Sequence, residues 1–265
     1  MIYLDYSATT PVDSRVLDTY NKVTNNFIGN PNSLHKLGVE AKKLETEATN
    51  QIKKIMNLTD EEIIYTSCAS ESNNLAIKGI ALRNQKKGKH IITTNLEHSS
   101  IYGPIGYLQN LGFEVDFVKT NEYGLIDIQD LKSLLRDDTI LVTVGAVNSE
   151  TGVKQNIEEL ANILKNYNCY FHVDATQAVG KVKIDYSNVD LVSFTAHKFY
   201  GPKGIGVLIK KKDILIEPLI HGGKSTTKYR SGTPALPLIV SLSKALRLID
   251  EELENNLIKT KELNK

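Results

Sequence analysis

Cysteine is scarce: Cys68 and Cys169 are the two in a chain of 265 residues. That is too few for a disulfide framework and fits a reducing compartment, so the expected location is the cytoplasm. Net charge is nearly absent. Thirty-two Lys and Arg against thirty-one Asp and Glu leave +1. No basic block is interleaved with aromatics, which gives no reason to expect a nucleic-acid partner. No apolar run approaches the roughly 20 residues that span a bilayer, and no membrane partner is expected. The opening "MIYLDYSATT" has no charged region followed by an apolar one, so it does not read as a signal peptide. Six histidines are scattered with no pair at metal-ligand spacing, and no metal site is expected. "GGKST" at 222–226 resembles a phosphate-binding P-loop, but Pro218 stands where that motif needs its first glycine.

What is present is an ordinary globular composition, 41% hydrophobic and 24% charged. The length suits one large domain, or one with a fragment of a second. Ala41, Leu44, Ala48, Ile52 and Ile55 recur at helical spacing. "EEIIYTS" then reads as a strand, and "ESNNLAIKGIALRNQ" as a helix closed by Lys86-Lys87-Gly88. The alternation continues: "HIITTN", "FEVDFV", "TILVTVGAV", "CYFHVDA", "LVSFTA" and "GIGVLIK" are strands. "SIYGPIGYLQNLG" is expected to be helical up to Gly112, and "DIQDLKSLLR" and "IEELANILKNY" are helical too. Strands apolar on both sides and alternating with helices predict an α/β fold with a mostly parallel, doubly covered sheet. Ile239, Leu242, Leu246, Ile249, Leu253 and Leu257 mark one face of a last helix near 30 residues long. Its stripe needs a partner surface, and the chain is expected to stop inside its architecture.

The chemistry centres on "SFTAHKFYGPKG" at 193–204. Most lysines at strand ends point into water. Lys198, however, follows an apolar strand at the place where open α/β sheets bind ligands. The glycine-rich turn after it lets backbone approach closely. An amine held there, its pKa lowered by burial or by neighbouring cations, can form a Schiff base with a carbonyl. Asp174 ends the apolar "FHVDATQ" strand and suits a cationic partner; the alternative is a helix N-cap for "DATQA". "SCASES" sits between strand and helix, where N–H groups and the Ser70 hydroxyl suit a phosphate, or else simply cap the helix. His98 follows another strand and, alone, would more often be structural.

Taken in order, "YLDYSATTPVD", "GNPNSLH", "TSCASESNNLAIKG", "EHSS", "VNSETGV", "HVDATQ", "SFTAHKFYGPKG" and "RSGT" resemble the class V aminotransferase-like enzymes, and most of all the cysteine desulfurases. The resemblance runs from Ile2 to about Thr233. It implies a pyridoxal 5′-phosphate (PLP) enzyme of fold type I, with a large domain built on a seven-stranded sheet and part of a small C-terminal domain. Residues 1–14 would pack with the small domain, 15–233 would form the cofactor domain, and 234–265 would lead into a small domain that is mostly absent. Lys198 would condense with the cofactor and move protons; His98 would stack on its ring and assist. Asp174 would pair with the ring nitrogen, and Asn148 and Gln177 would meet the phenolic oxygen. Ala69, Ser70, Thr195 and His197 would hold the phosphate, joined by Thr233 from the other subunit of a homodimer. Arg230 is loosely constrained.

The implied reaction takes sulfur from L-cysteine, leaves L-alanine and delivers a persulfide to an iron–sulfur scaffold or another sulfur acceptor. Selenocysteine lyase, another class V lyase, and a non-catalytic cofactor-binding protein remain alternatives. Two departures stand out. "SCASE" puts Cys68 where the family has glycine and Ser70 where it has threonine, and "KSTTKY" after Gly223 differs from the usual pattern. The family's reactive cysteine lies beyond the region matched here, and neither Cys68 nor Cys169 stands in its place. The 265 residues alone are therefore expected to bind cofactor weakly or not at all and to release little sulfide.

Overall fold

A computed structural model describes residues 2–223 and 225–264. Lys224 of the P-loop lookalike lies outside them. Seven strands form one sheet: β1 (Glu61–Thr66), β2 (His90–Thr94), β3 (Glu114–Val118), β4 (Thr139–Gly145), β5 (Tyr170–Asp174), β6 (Leu191–Thr195) and β7 (Gly206–Lys211). Their order is β1-β7-β6-β5-β4-β2-β3. β7 runs against both of its neighbours, β1 and β6, while the other pairings are parallel. The reversal follows from chain length. Residues 196–205 are fewer than the dozen or so that a parallel crossover needs. β2, β4, β5 and β6 are buried along nearly all their length, matching their continuous apolar runs.

The helices are α1 (Ser14–Asn26), α2 (Lys36–Ile55), α3 (Ala69–Asn84), α4 (Ser99–Gln109), α5 (Ile128–Leu134), α6 (Ile157–Leu164) and α7 (Leu236–Leu263). α3 crosses the sheet over β4 to β7 and is buried at Asn73, Leu75, Ala76, Ile77 and Ile80. The α4 helix stops at Gln109, short of Gly112, where φ is +80° and a turn leads into β3. α1 is an element the sequence pattern did not reveal; Asp13 caps it by accepting the Arg15 N–H at 2.8 Å.

α7 corrects the expectation of an unpartnered stripe. Ile239, Leu242, Leu246, Ile249 and Leu253 are buried against α1, α2 and the sheet's main core cluster. Each such side chain stabilises the packing by roughly 1.5–3 kcal/mol. Beyond them Leu257 is half-buried and Ile258 exposed. The parallel strands β1, β2, β4, β5 and β6 end on the same edge, in Thr66, Thr94, Gly145, Asp174 and Thr195. That edge carries the site.

Candidate active site

A cavity of about 630 Å³ opens at this edge. After β6 the backbone makes one 3-10 turn, Ala196–Lys198, then reverses at Tyr200, whose φ is +63°. Gly201 is required there, because a Cβ would lie 2.6 Å from the Ala196 Cβ. The Ala196 carbonyl accepts both the Phe199 and Gly201 N–H groups. Lys198 is thus held still by its own turn. Its Nζ donates to the Ser7 carbonyl at 2.5 Å. Burial lowers the amine below its ordinary pKa, against the opposing pull of the Asp174 and Asp5 charges. His197 is lowered as well, by burial and then by the Lys198 charge, and its Nδ1 lies 3.2 Å from Thr9 Oγ1.

Asp174 is 8% exposed at the end of β5. Its Oδ2 accepts from Asn73 Nδ2 at 2.7 Å and its Oδ1 from the Thr176 N–H at 2.9 Å. No helix starts there: residues 176–181 form turns, so the helix-cap alternative falls away. Behind it, His172 bridges Thr143 Oγ1 at 2.8 Å and Ser193 Oγ at 2.9 Å. Complete burial holds that ring far below the usual histidine pKa, hence neutral. His98 caps α4; its Nδ1 accepts the Ser100 N–H at 3.1 Å and lies 2.8 Å from Ser100 Oγ.

Ala69 and Ser70 open α3 and line the cavity, and the Cys68 side chain makes no cap bond there. The first N–H groups of α3 are therefore available to an anion. Cys68 occupies extended backbone, φ −170°, that any residue adopts, and its side chain lines the cavity, so replacing glycine introduces no strain. Thr195 is almost fully buried and donates to the Ile205 carbonyl at 2.7 Å, which leaves its oxygen free to accept. Asn148 Nδ2 donates to the Leu96 carbonyl, and its Oδ1 receives the Glu150 and Thr151 N–H groups. Its side chain shapes that loop, with one N–H left over. Gln177 Nε2 donates to the Ser7 carbonyl at 2.9 Å. Thr233 is not brought to this cavity. It is exposed, beside Arg230 in a separate hollow of about 100 Å³.

Sequence reasoning missed four residues. Asn73 and Ser100 support Asp174 and His98. Lys181, donating to Gln177 Oε1, is pushed down to about 8 by burial and by the Lys198 charge. Glu97 lines the cavity and accepts from Thr94 Oγ1 at 2.7 Å. Burial raises it to about 7, opposed by the Thr94 and Gly145 hydrogen bonds and helped by the Asp174 charge. Helical spacing from Asn73 to Ile77 and Ile80 was the available signal for an amide on an apolar face.

A neutralisable amine, a carboxylate at a neighbouring strand end and a helix N-terminus around one cavity are the donor set a pyridoxal phosphate needs. The residues fit the group. Among the described residues no cluster of His, Cys, Asp and Glu suits a metal ion, and no helix is long and apolar enough to cross a membrane.

A family model for aminotransferase class-V matches residues 2–265. A protein of Dictyoglomus turgidum named cysteine desulfurase IscS is 42% identical, the match covering 99% of this chain and 67% of the relative. A NifS-like protein of known structure superposes with a TM-score of 0.92 at 39% identity, over 96% of this chain and 71% of its own. A second, described as SspA in complex with cysteine, gives 0.89 at 36% identity, over 93% and 72%.

Proposed function

Because this chain belongs to the class-V aminotransferase family, and within it to the cysteine desulfurases, we propose that it binds pyridoxal 5′-phosphate at the Lys198 cavity and removes sulfur from L-cysteine to leave L-alanine. One observation carries the reading. Lys198 and Asp174, at the ends of the paired strands β6 and β5, line one cavity together with the start of α3. When bound, the cofactor supplies a carbonyl for an amine and a ring that withdraws electrons. Lys198 would offer its amine to that carbonyl and move the substrate's α-proton. Asp174 would keep a proton at the ring nitrogen. His98 would cover the ring face and pass protons, and Asn148 and Gln177 would meet the phenolic oxygen. The α3 N–H groups, with Ala69, Ser70, Thr195 and His197, would hold the phosphate.

The sulfur goes to a thiolate, since a thiol too strongly protonated is a poor nucleophile. Cys169 does not serve: burial and the Asp190 charge push it up to about 12. Cys68 lies at the phosphate end. The acceptor is therefore another thiol, from which sulfur passes to an iron–sulfur scaffold or a thiolated molecule. A homodimer fits the position of Thr233 and Arg230, away from the Lys198 cavity, where they can serve a second copy. Residues 1–14 would meet a smaller domain through Ile2 and Leu4, both more than four-fifths exposed, and α7 would lead towards it. Two unpaired cysteines suit the cytoplasm.

Reductive capture tests the cofactor half: borohydride treatment of the loaded chain should fix pyridoxal phosphate to Lys198, and capture elsewhere refutes it. Alanine formed from L-cysteine with dithiothreitol as acceptor tests turnover. Its absence despite capture would leave a cofactor-binding protein without this activity. A preference for L-selenocysteine would assign the lyase alternative instead.

A further inference from the structure

Asn73 is fully buried in α3, facing β5 and α4. Its Nδ2 donates to Asp174 Oδ2 at 2.7 Å and to Ser100 Oγ at 2.9 Å. Its Oδ1 is buried and has no hydrogen-bond partner among the described residues. A side chain chosen for packing alone would be apolar here, because a buried, unmet carbonyl is destabilising. The amide orientation is also determined. Turning it over would set Oδ1 against the Asp174 oxygen and forfeit the bond to that carboxylate.

The amide group has two hydrogens, and both are committed. Each partner must then offer an oxygen lone pair, so the single Ser100 proton is directed elsewhere. At 2.8 Å stands His98 Nδ1, which already accepts the Ser100 N–H. Two donors aimed at Nδ1 leave the neutral ring's proton on Nε2. We infer that Asn73 is a positioning residue: it anchors Asp174 and, through Ser100, holds His98 as its Nε2–H tautomer. One amide thereby links α3 to the end of β5 and to the first turn of α4. It fixes the acid and the imidazole relative to each other before any ligand arrives.

The inference draws its use from the cofactor reading, but its test needs no cofactor, so either can fail alone. In the full, ¹⁵N-labelled chain, two-bond proton–nitrogen spectra report each histidine tautomer, and His98→Gln assigns the His98 signals. The wild-type ring should be Nε2–H, with Nδ1 shifted as a hydrogen-bonded acceptor. Asn73→Asp keeps the size; the carboxyl pair it forms with Asp174 shares one proton, so the oxygen facing Ser100 can only accept and draws the Ser100 proton to itself. Loss of one bond to Nδ1 should move the tautomer ratio about fivefold towards Nδ1–H. Ser100→Ala breaks the next link and should move the same signals if the first variant does not fold. A wild-type Nδ1–H ring overturns the inference. So do His98 signals that a folded variant leaves unmoved.

Discussion

The Nζ of Lys198 and the backbone carbonyl of Ser7, 191 residues apart in sequence, are hydrogen-bonded at 2.5 Å. The same carbonyl takes the Gln177 amide at 2.9 Å. The N-terminal segment therefore lies across the amine and must release it when a carbonyl arrives. Loading with pyridoxal phosphate should speed amide exchange over residues 5–9, and Lys198→Ala should show no such change on exposure to the cofactor.

Burial lowers the Lys198 pKa, so more of it is neutral near pH 8 than of an exposed lysine. Sub-stoichiometric pyridoxal phosphate followed by borohydride should label Lys198 ahead of every exposed lysine. Peptide mapping reads the outcome. Raising the pH towards 11 should erase the preference, because exposed amines then lose their protons too.

Glu97 gives a pH signature of opposite sign to that of a salt-bridged carboxylate. An unfolded glutamate deprotonates near 4.5, whereas this one does so at about 7 because it is buried. Between those values the folded state binds more protons, so its contribution to stability falls as pH rises from 4.5 through 7. Glu97→Gln should stabilise the chain by on the order of 2–3 kcal/mol at pH 8 and be nearly neutral at pH 4.5. Urea titrations at the two values check it.

Much of this was legible beforehand, for identifiable reasons. Continuous apolar runs marked the strands, and chemistry at strand ends marked Lys198 and Asp174. The reversed direction of β7 was not visible in its residues, since "GIGVLIK" would suit either direction; the short connection from β6 dictates it. α1 escaped notice because its buried positions, Val16 and Val23, are few among polar neighbours. Asn73 and Glu97 were hidden because a polar residue in a helix or at a strand end usually faces water. Burial, which sequence does not display, gives them their roles.

The two thiols should differ in reactivity. Cys68 lines the cavity, while Cys169 is raised to about 12. A maleimide at pH 7.5 should modify Cys68 at least ~10-fold faster in the native chain. Bound pyridoxal phosphate should slow that modification, and Cys68→Ala should remove the fast phase.

Away from the cavity, Lys210 is fully buried, 3.0 Å from Glu62 Oε2 and 4.7 Å from the centre of the Tyr229 ring. Thr227 Oγ1 donates to the other Glu62 oxygen at 2.7 Å. Glu62→Gln would leave a buried ammonium without a counter-charge and should cost about 3 kcal/mol. Lys210→Met should cost less, because the released Glu62 is partly exposed and can be hydrated. Denaturation midpoints of the two variants settle the order.

The hairpin that presents Lys198 is pinned on both flanks, with β6 and β7 paired from Leu191 opposite Lys210 to Thr195 opposite Gly206. Lengthening this connector would lift the amine off its seat, and extra residues just after the other strand ends would displace Ser70, His98 or Gln177, whereas insertions at the opposite edge of the sheet would leave the cavity alone. Tolerance of insertion is thereby uneven: the segment from 196 to 205 has to keep its length for the amine to stay seated, and slack belongs to the far side of the sheet.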